Sequence, residues 1–233
     1  MSGSSLRTAV FLFACLASVS PASAAGPGST FKHLSDETFT SPDGQMRVEQ
    51  YSRERGNDVL HQFWIFDQKQ QAALLNPGEG ADLAGYRAGF RFTPDSQWLV
   101  RMQKLGAGYQ TLLLYRRDGD RFSPATTKPL GDLAWDYLFG LPVSKGMLRP
   151  VNHAQVHLLK GLDENYAWLG QRWPDSRYLV LSLSFDIQGQ KKPSPWVEGW
   201  RCVYDMKTGK FTVPPDFADH NAKAVKRRDQ ASR

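Results

Sequence analysis

The stretch "TPDSQWLV", residues 93–100, decides the fold because the chain repeats its pattern twice more. The other two copies are "SPDGQMRV" at 41–48 and "WPDSRYLV" at 173–180. The three copies align without gaps. In each, Pro-Asp is followed by Gly or Ser, then by three variable positions and a closing Val. Proline sets the backbone angle of the first turn position, and Asp with Gly or Ser suits the positions that follow. Asp95 and Ser96 are therefore interpreted as turn formers rather than as an acid and a nucleophile.

Each copy is followed by the same kinds of segment. Runs such as "QWLVRMQ" and "RYLVLSLSF" are rich in β-branched, aromatic and aliphatic residues and are bounded by turn signals, which is typical of strands. A second strand-like run follows in each copy, namely "HQFWIFD", "YQTLLLYR" and "GWRCVYD". A polar turn and a short β-prone stretch complete the unit. The sequence thus predicts an all-β fold of repeated, antiparallel four-stranded meanders.

This pattern resembles the β-propeller repeat of TolB and related WD40-like proteins. The resemblance implies radial blades of four strands, and protein–protein interaction as the usual role. The unit boundaries are predicted at about 36–80, 86–125 and 165–215. The intervening region 126–165 lacks a Pro-Asp-Gly turn and is either a degenerate fourth blade or an insertion. The fold is accordingly predicted to be either a small propeller of about four blades or an incomplete propeller.

The N-terminus has the pattern of a secretory signal peptide. Arg7 precedes a 12-residue apolar run and the small-residue site Ala22-Ser23-Ala24, which predicts a signal peptide over 1–24. The run is shorter than the roughly 20 residues that span a bilayer, so no transmembrane anchor is expected after cleavage. The alternative to cleavage near Ala24 is lipid attachment at Cys15. Cleavage near Ala24 would leave Cys202 as the single cysteine, interpreted as a buried small hydrophobe.

The net charge of +6 is concentrated at the C-terminus. Residues 25–220, predicted to form a single domain, carry 23 basic and 22 acidic groups and are nearly neutral. The segment 221–233 holds five basic residues against one acidic residue and is predicted to be a flexible basic tail. A neutral, exported domain argues against nucleic-acid binding. The sequence contains no dinucleotide fingerprint, P-loop or Gly-x-Ser-x-Gly elbow, so no cofactor and no catalytic residue is predicted.

Binding residues are predicted where the second and third strands of each unit connect, because these connections should lie on one face. They span 52–58, 103–108 and 186–198. Long loops on a rigid scaffold often carry function, and Trp and Arg are common anchors at interfaces. Trp196 has the alternative of folding back onto its own unit. The candidate residues are Arg53, Arg55, Lys104, Lys191, Lys192 and Trp196.

Two further groups lie in the irregular region. Trp135 and Tyr137 could line a recognition surface, although core packing is the favoured interpretation because aromatic residues dominate small β cores. His153 and His157 are weak candidates for metal ligands. Their segment alternates apolar and polar residues, which predicts a strand that separates them by about 13 Å and prevents shared ligation.

Together these observations predict an exported, periplasmic or secreted binding module whose partner is another envelope or secreted protein. The alternative is a secreted, hydrolase-like enzyme with a site around 126–165.

Overall fold

The computed structural model describes residues 26–75, 83–150, 154–159, 176–185 and 196–226, and most of this chain forms antiparallel strands. The three repeats each form one four-stranded meander. The first unit consists of β1 (Lys32–Thr40), β2 (Met46–Arg55), β3 (Asp58–Asp67) and β4 (Ala72–Leu74). The short strand β5 (Leu83–Ala84) pairs with β3 and leads into the second unit.

The second unit consists of β6 (Ala88–Phe92), β7 (Trp98–Gly106), β8 (Tyr109–Asp118) and β9 (Arg121–Pro124). The third consists of β10 (Ala154–Leu158), β11 (Tyr178–Phe185), β12 (Trp196–Asp205) and β13 (Lys210–Thr212). Neighbouring strands within each unit are antiparallel. The prediction of an all-β, propeller-like fold is confirmed.

The first two Pro-Asp turns have the same internal hydrogen bonds. In one, the Ser41 hydroxyl donates to Asp43 Oδ1 at 2.6 Å; in the other, the Thr93 hydroxyl donates to Asp95 Oδ1 at 2.6 Å. Both hydroxyls also accept a backbone N–H from the first residue of the next strand. Each turn therefore joins the first and second strands of its unit, as the repeat predicted.

The second and third units are joined in one sheet, whereas the blades of a propeller are separate sheets. Strand β10 pairs antiparallel with β11 and parallel with β8, where Gln155 is opposite Gln110. The first strand of the third unit thus comes from residues 154–158, inside the region that the sequence treated as irregular. The resulting sheet has nine strands, whereas the first unit forms a separate five-stranded sheet with β5.

Two hydrophobic cores lie on opposite faces of the second unit. The core between the first and second units includes Val48, Phe63 and Ile65 from one sheet and Phe90 and Leu99 from the other. The core on the other face is covered by the helix α1 (Leu130–Phe139), whose buried side chains include Leu130 and Leu138. The irregular region therefore supplies a helix that fills the concave face of the curled sheet, as well as strand β10.

The C-terminal part of the described chain is ordered where a flexible tail was expected from residue 221. Residues Ala218–Ala224 form α2, and Val225–Lys226 form β14, which pairs with β12. The Asn221 side chain donates to Arg201 O at 2.8 Å and accepts from Arg201 N at 2.7 Å. The Asn221 side-chain amide thus bonds the N–H and C=O of Arg201 as the backbone of a neighbouring strand would, which explains why this polar segment docks on β12. Residues 227–233 lie outside the described part.

No helix in the described ranges is long and apolar enough to cross a membrane. The predicted signal peptide and Cys15 lie outside these ranges.

Candidate functional site

A cleft opens between the first and second units at the end where β2 turns into β3 and β7 turns into β8. We call it the hairpin-end cleft. Its volume is about 460 Å³, within the range of ligand-binding pockets. It is lined by Ser52, Val59, His61, Gly85, Tyr86, Arg87 and Lys104. Two of the three predicted connections therefore border one cavity; the third, over 186–195, lies outside the described residues.

Strand register explains which side chains line the cleft. Ser52 is paired with His61, and two residues further along the same face Gln50 is paired with Phe63. Gln50 exchanges two hydrogen bonds with the backbone of Ala88, at 2.7 and 3.0 Å. These bonds hold the segment that leads into β6 against the first unit and so fix the floor of the cleft.

Two cationic side chains, Arg87 and Lys104, line the cleft. The Lys104 ammonium lies 4.8 Å from the centre of the Tyr86 ring, and no carboxylate partner is seen for it within the described ranges. Arg87 donates to Glu37 at 2.7 Å and lies 3.9 Å from Asp36. Lys104 is therefore the charge in the cleft that is available to an anionic group of a ligand.

His61 contributes a neutral ring to this cleft. It is only 4% exposed, and burial, followed by the charge of Arg87, holds its pKa below the ordinary value of 6.5, against the opposing effect of Glu37. Its Nδ1 atom is buried and has no hydrogen-bond partner among the described residues. A neutral imidazole is thus positioned beside the two cationic side chains at pH 7.

Exposed apolar side chains occur at the same end of the two hairpins; Val59 lines the cleft, and Leu105 follows Lys104 on β7. Val59 is 40% exposed and Leu105 is 47% exposed, and each lies beside a hairpin turn. Only one other large hydrophobic residue of the described chain, Leu148, is comparably exposed. This end of the two hairpins therefore presents an available lysine beside exposed aliphatic side chains.

The other predicted cationic residues are placed differently. Arg53 alternates with Ser52 along β2 and points to the opposite face, where its guanidinium lies 4.6 Å from the Phe31 ring centre. Arg55 is exposed at the end of β2, opposite Asp58. Lys191 and Lys192 lie outside the described residues. Of the predicted loop residues that the structure describes, Lys104 alone lines the cleft.

The predicted aromatic residues are largely internal. Trp196 is 8% exposed and its indole N–H donates to Glu198 at 2.8 Å. Trp135 is 7% exposed, and one edge of it borders a second cavity beside α1. Tyr137 stacks on Phe211 with ring centres 5.3 Å apart. These rings contribute mainly to the core on the helix side of the sheet.

His157 lies on strand β10, in agreement with the alternation seen in the sequence. Gln110 lies 3.3 Å from the Nδ1 atom of His157, and the Nε2 atom of His157 lies 3.0 Å from Gln155. Burial lowers the pKa of His157. No cluster of three or more potential metal ligands occurs in the described part of the chain, and His153 lies outside it.

Cys202 is fully buried on β12, and burial raises the pKa of its thiol above the ordinary value. The thiol is therefore protonated and unreactive at neutral pH.

Sequence reasoning missed His61, Tyr86, Arg87 and the exposed pair Val59 and Leu105. Tyr86 and Arg87 are the first two residues of the predicted second unit, so a search of the residues at the start of each unit could have found them. No sequence pattern marks His61, because it lies in a strand that is buried on both faces and therefore shows no alternation of polar and apolar residues.

The strand topology defines a class, namely an all-β protein built from propeller-like, four-stranded repeats. No protein-family model and no curated protein matches the chain. Among solved structures, the crystal structure of TolB from Acinetobacter baumannii aligns with 12% identity and a TM-score of 0.32. The alignment covers 76% of this chain and 31% of that one, so the chain spans about a third of the length of that protein.

Proposed function

We propose that this protein is an exported binding module that recognises another envelope or secreted protein through the hairpin-end cleft and its apolar rim. The observation that carries the proposal is the combination of Lys104, which has no carboxylate partner among the described residues, with the exposed side chains of Val59 and Leu105. The residues that border the cleft come from both the first and the second unit.

The chemistry of this surface specifies the partner. Lys104 favours an acidic side chain, while Val59 and Leu105 favour an adjacent aliphatic or aromatic residue. Tyr86 offers a ring that can be partly covered without a large loss of side-chain entropy. The expected ligand is therefore a protein segment that presents a carboxylate next to an apolar residue.

Export is supported by the signal-peptide pattern of residues 1–24. This pattern fits a periplasmic or secreted location. A domain with a large core does not need disulfides for stability in an oxidising compartment.

The proposal is tested by site-specific photo-crosslinking in the native cell envelope. A photoreactive residue replaces Leu105 in one variant and Lys69 in a control variant. Lys69 is exposed in the turn between β3 and β4, at the opposite end of the first unit. We expect a discrete adduct from position 105 that disappears when Lys104→Glu is added, and no such adduct from position 69.

Equal adducts from the two positions would show that the hairpin end is not the binding surface. An adduct at position 105 that survives Lys104→Glu would reject the acidic partner while retaining the location. Thermal unfolding of each variant, followed by circular dichroism, verifies that the fold is intact.

A further inference from the structure

A second cavity lies on the other face of the second unit, between helix α1 and the segment that leads into β10. We call it the helix-side pocket. Its volume is about 320 Å³. It is lined by Tyr109, Lys128, Asp132, Trp135, Asp136, Phe139, Arg149, Pro150 and Ala154. The pocket shares no lining residue with the hairpin-end cleft.

Fixed hydrogen-bond donors form one side of this pocket. Asp136 accepts from Arg149 at 2.6 Å and from Lys128 at 3.2 Å. The Arg149 hydrogen bond and then the Lys128 contact outweigh burial and lower the pKa of Asp136. The Arg149 guanidinium also lies 4.9 Å from the Phe139 ring centre. These contacts orient both cations, which retain further N–H donors for a ligand because Arg has five and Lys three.

Asp132 provides an acceptor in the same pocket. It lies one helical turn before Asp136, it is exposed, and no ion pair is seen for it within the described ranges. Partial burial of the carboxyl, followed by the charge of Asp136, raises the pKa of Asp132, against the effect of Lys128. Because no ion pair within the described ranges involves its oxygens, they are available for hydrogen bonds from a ligand.

Aromatic side chains complete the walls. Trp135 and Phe139 lie one turn apart on α1 with ring centres separated by 6.1 Å, and Tyr109 borders the pocket from β8. Aromatic walls favour a ligand with an apolar face. The pocket thus combines an apolar wall with donors and acceptors at fixed positions.

We propose that the helix-side pocket binds a neutral, polyhydroxylated ring, namely a sugar unit of a glycan. Two cationic and two anionic side chains line the pocket, so its formal charge is zero. An anionic ligand would be repelled by Asp132, and a cationic ligand would be repelled by Lys128 and Arg149. A neutral ligand avoids both penalties.

Hydroxyl groups match this arrangement because each can donate to Asp132 and accept from Lys128 or Arg149. The C–H face of a sugar ring would pack against the aromatic wall, as apolar groups do in pockets of this type.

The proposal is tested by isothermal titration calorimetry and saturation-transfer NMR on the folded chain. The probes are glucose, galactose, N-acetylglucosamine and trehalose, with inorganic phosphate and putrescine as charged comparators. We expect saturable binding of at least one neutral sugar, and an affinity about tenfold lower for Asp132→Asn, which corresponds to about 1.4 kcal/mol.

Asp219→Asn is the matched control, because Asp219 is also an exposed aspartate in the first turn of a helix but does not line the pocket. This control should bind as the unchanged protein does. Failure of every sugar to bind saturably overturns the proposal, as does an equal effect of the two substitutions. Binding of phosphate or putrescine in place of the sugars, with loss in Asp132→Asn, would also overturn it and assign a charged ligand. None of these outcomes depends on the hairpin-end cleft.

Discussion

At the scale of single residues, the two Pro-Asp turns differ in one contact that has a structural role. Asp43 forms an ion pair with Arg117 of the second unit, and its backbone N–H donates to the Ser96 hydroxyl at 3.1 Å. Ser96 is buried and has a φ of 59°, a left-handed conformation for which the first turn uses Gly44. The turn motif therefore also fastens the first unit to the second, which accounts for an unfavourable backbone angle at a serine.

This contact predicts unequal effects for the same substitution in the two turns. Asp43→Asn and Asp95→Asn both preserve an acceptor for the local turn, but only Asp43→Asn removes a charged partner of Arg117. We expect Asp43→Asn to lower the free energy of unfolding at pH 7 by about 1 kcal/mol more than Asp95→Asn. Chemical denaturation of the two variants measures the difference, and equal destabilisation would contradict it.

The pH dependence of this difference has a definite sign. Burial opposes ionisation of Asp43, but hydrogen bonds from Ser41, the Gln45 N–H and Arg117 outweigh it and lower the pKa from 3.8 to about 2. A pKa that folding lowers stabilises the fold above the unfolded value, and this stabilisation is lost as the pH falls through the folded value. The difference between the unchanged protein and Asp43→Asn should therefore shrink between pH 4 and pH 2.

At the scale of elements, helix α1 is held close to strand β8 by a glycine. A Cβ atom added at Gly131 would lie 2.3 Å from Thr111 Oγ1 and 3.2 Å from the Leu112 backbone nitrogen. The backbone cannot withdraw without moving the helix away from the sheet. This close approach sets the position of Asp132 and Trp135 in the helix-side pocket, because both lie within one turn of Gly131.

Gly131→Ala should therefore destabilise the protein by about 1–3 kcal/mol, although alanine is the better helix former by about 1 kcal/mol. Gly106→Ala is the control, since its Cβ would meet only Tyr109 Cβ at 3.9 Å, an ordinary contact. Thermal unfolding measures both variants. A Gly131→Ala variant as stable as the control would show that α1 does not dock tightly on β8.

The sequence predicted the strands better than the helix for a physical reason. The strands of the repeats are bounded by Pro-Asp turns whose bonds are local, so the pattern is visible over a few residues. Helix α1 begins at Leu130 after the N-cap residue Pro129, which provides no capping side chain, and its segment is rich in aromatic residues that also suit strands. Its buried face, which includes Ala134 and Leu138, is explained only by the concave sheet that it covers.

At the scale of the whole molecule, a buried histidine and a partly buried one make the stability of the fold sensitive to mild acid. Burial lowers the pKa of His61, which lies at the interface of the first two units, and of His157, which lies on the strand that joins the second and third. Each folded pKa lies below the unfolded value of 6.5, so the unfolded chain binds protons first. Stability is therefore complete above about pH 6.5 and falls as the pH decreases towards the folded values.

We expect the free energy of unfolding to decrease between pH 7.5 and 5.5, by at most about 1.4 kcal/mol per pH unit for each histidine. A variant with both His61→Gln and His157→Gln should have a smaller slope over this interval, whatever its stability at pH 7.5. Denaturation at several pH values measures the slope. An unchanged slope in the variant would assign the acid sensitivity to other groups.

The sequence by itself determined the all-β class and the repeated four-stranded meanders, because turns and strand alternation are local properties. The tertiary structure alone decided which residues meet there. Lys104 and His61 are 43 positions apart and share the hairpin-end cleft because the core between the two units and the hydrogen bonds of Gln50 hold the second unit against the first. The insertion of β10 beside β8 likewise depends on long-range pairing: alternation indicates a strand in this segment, but it does not indicate which strand lies beside it.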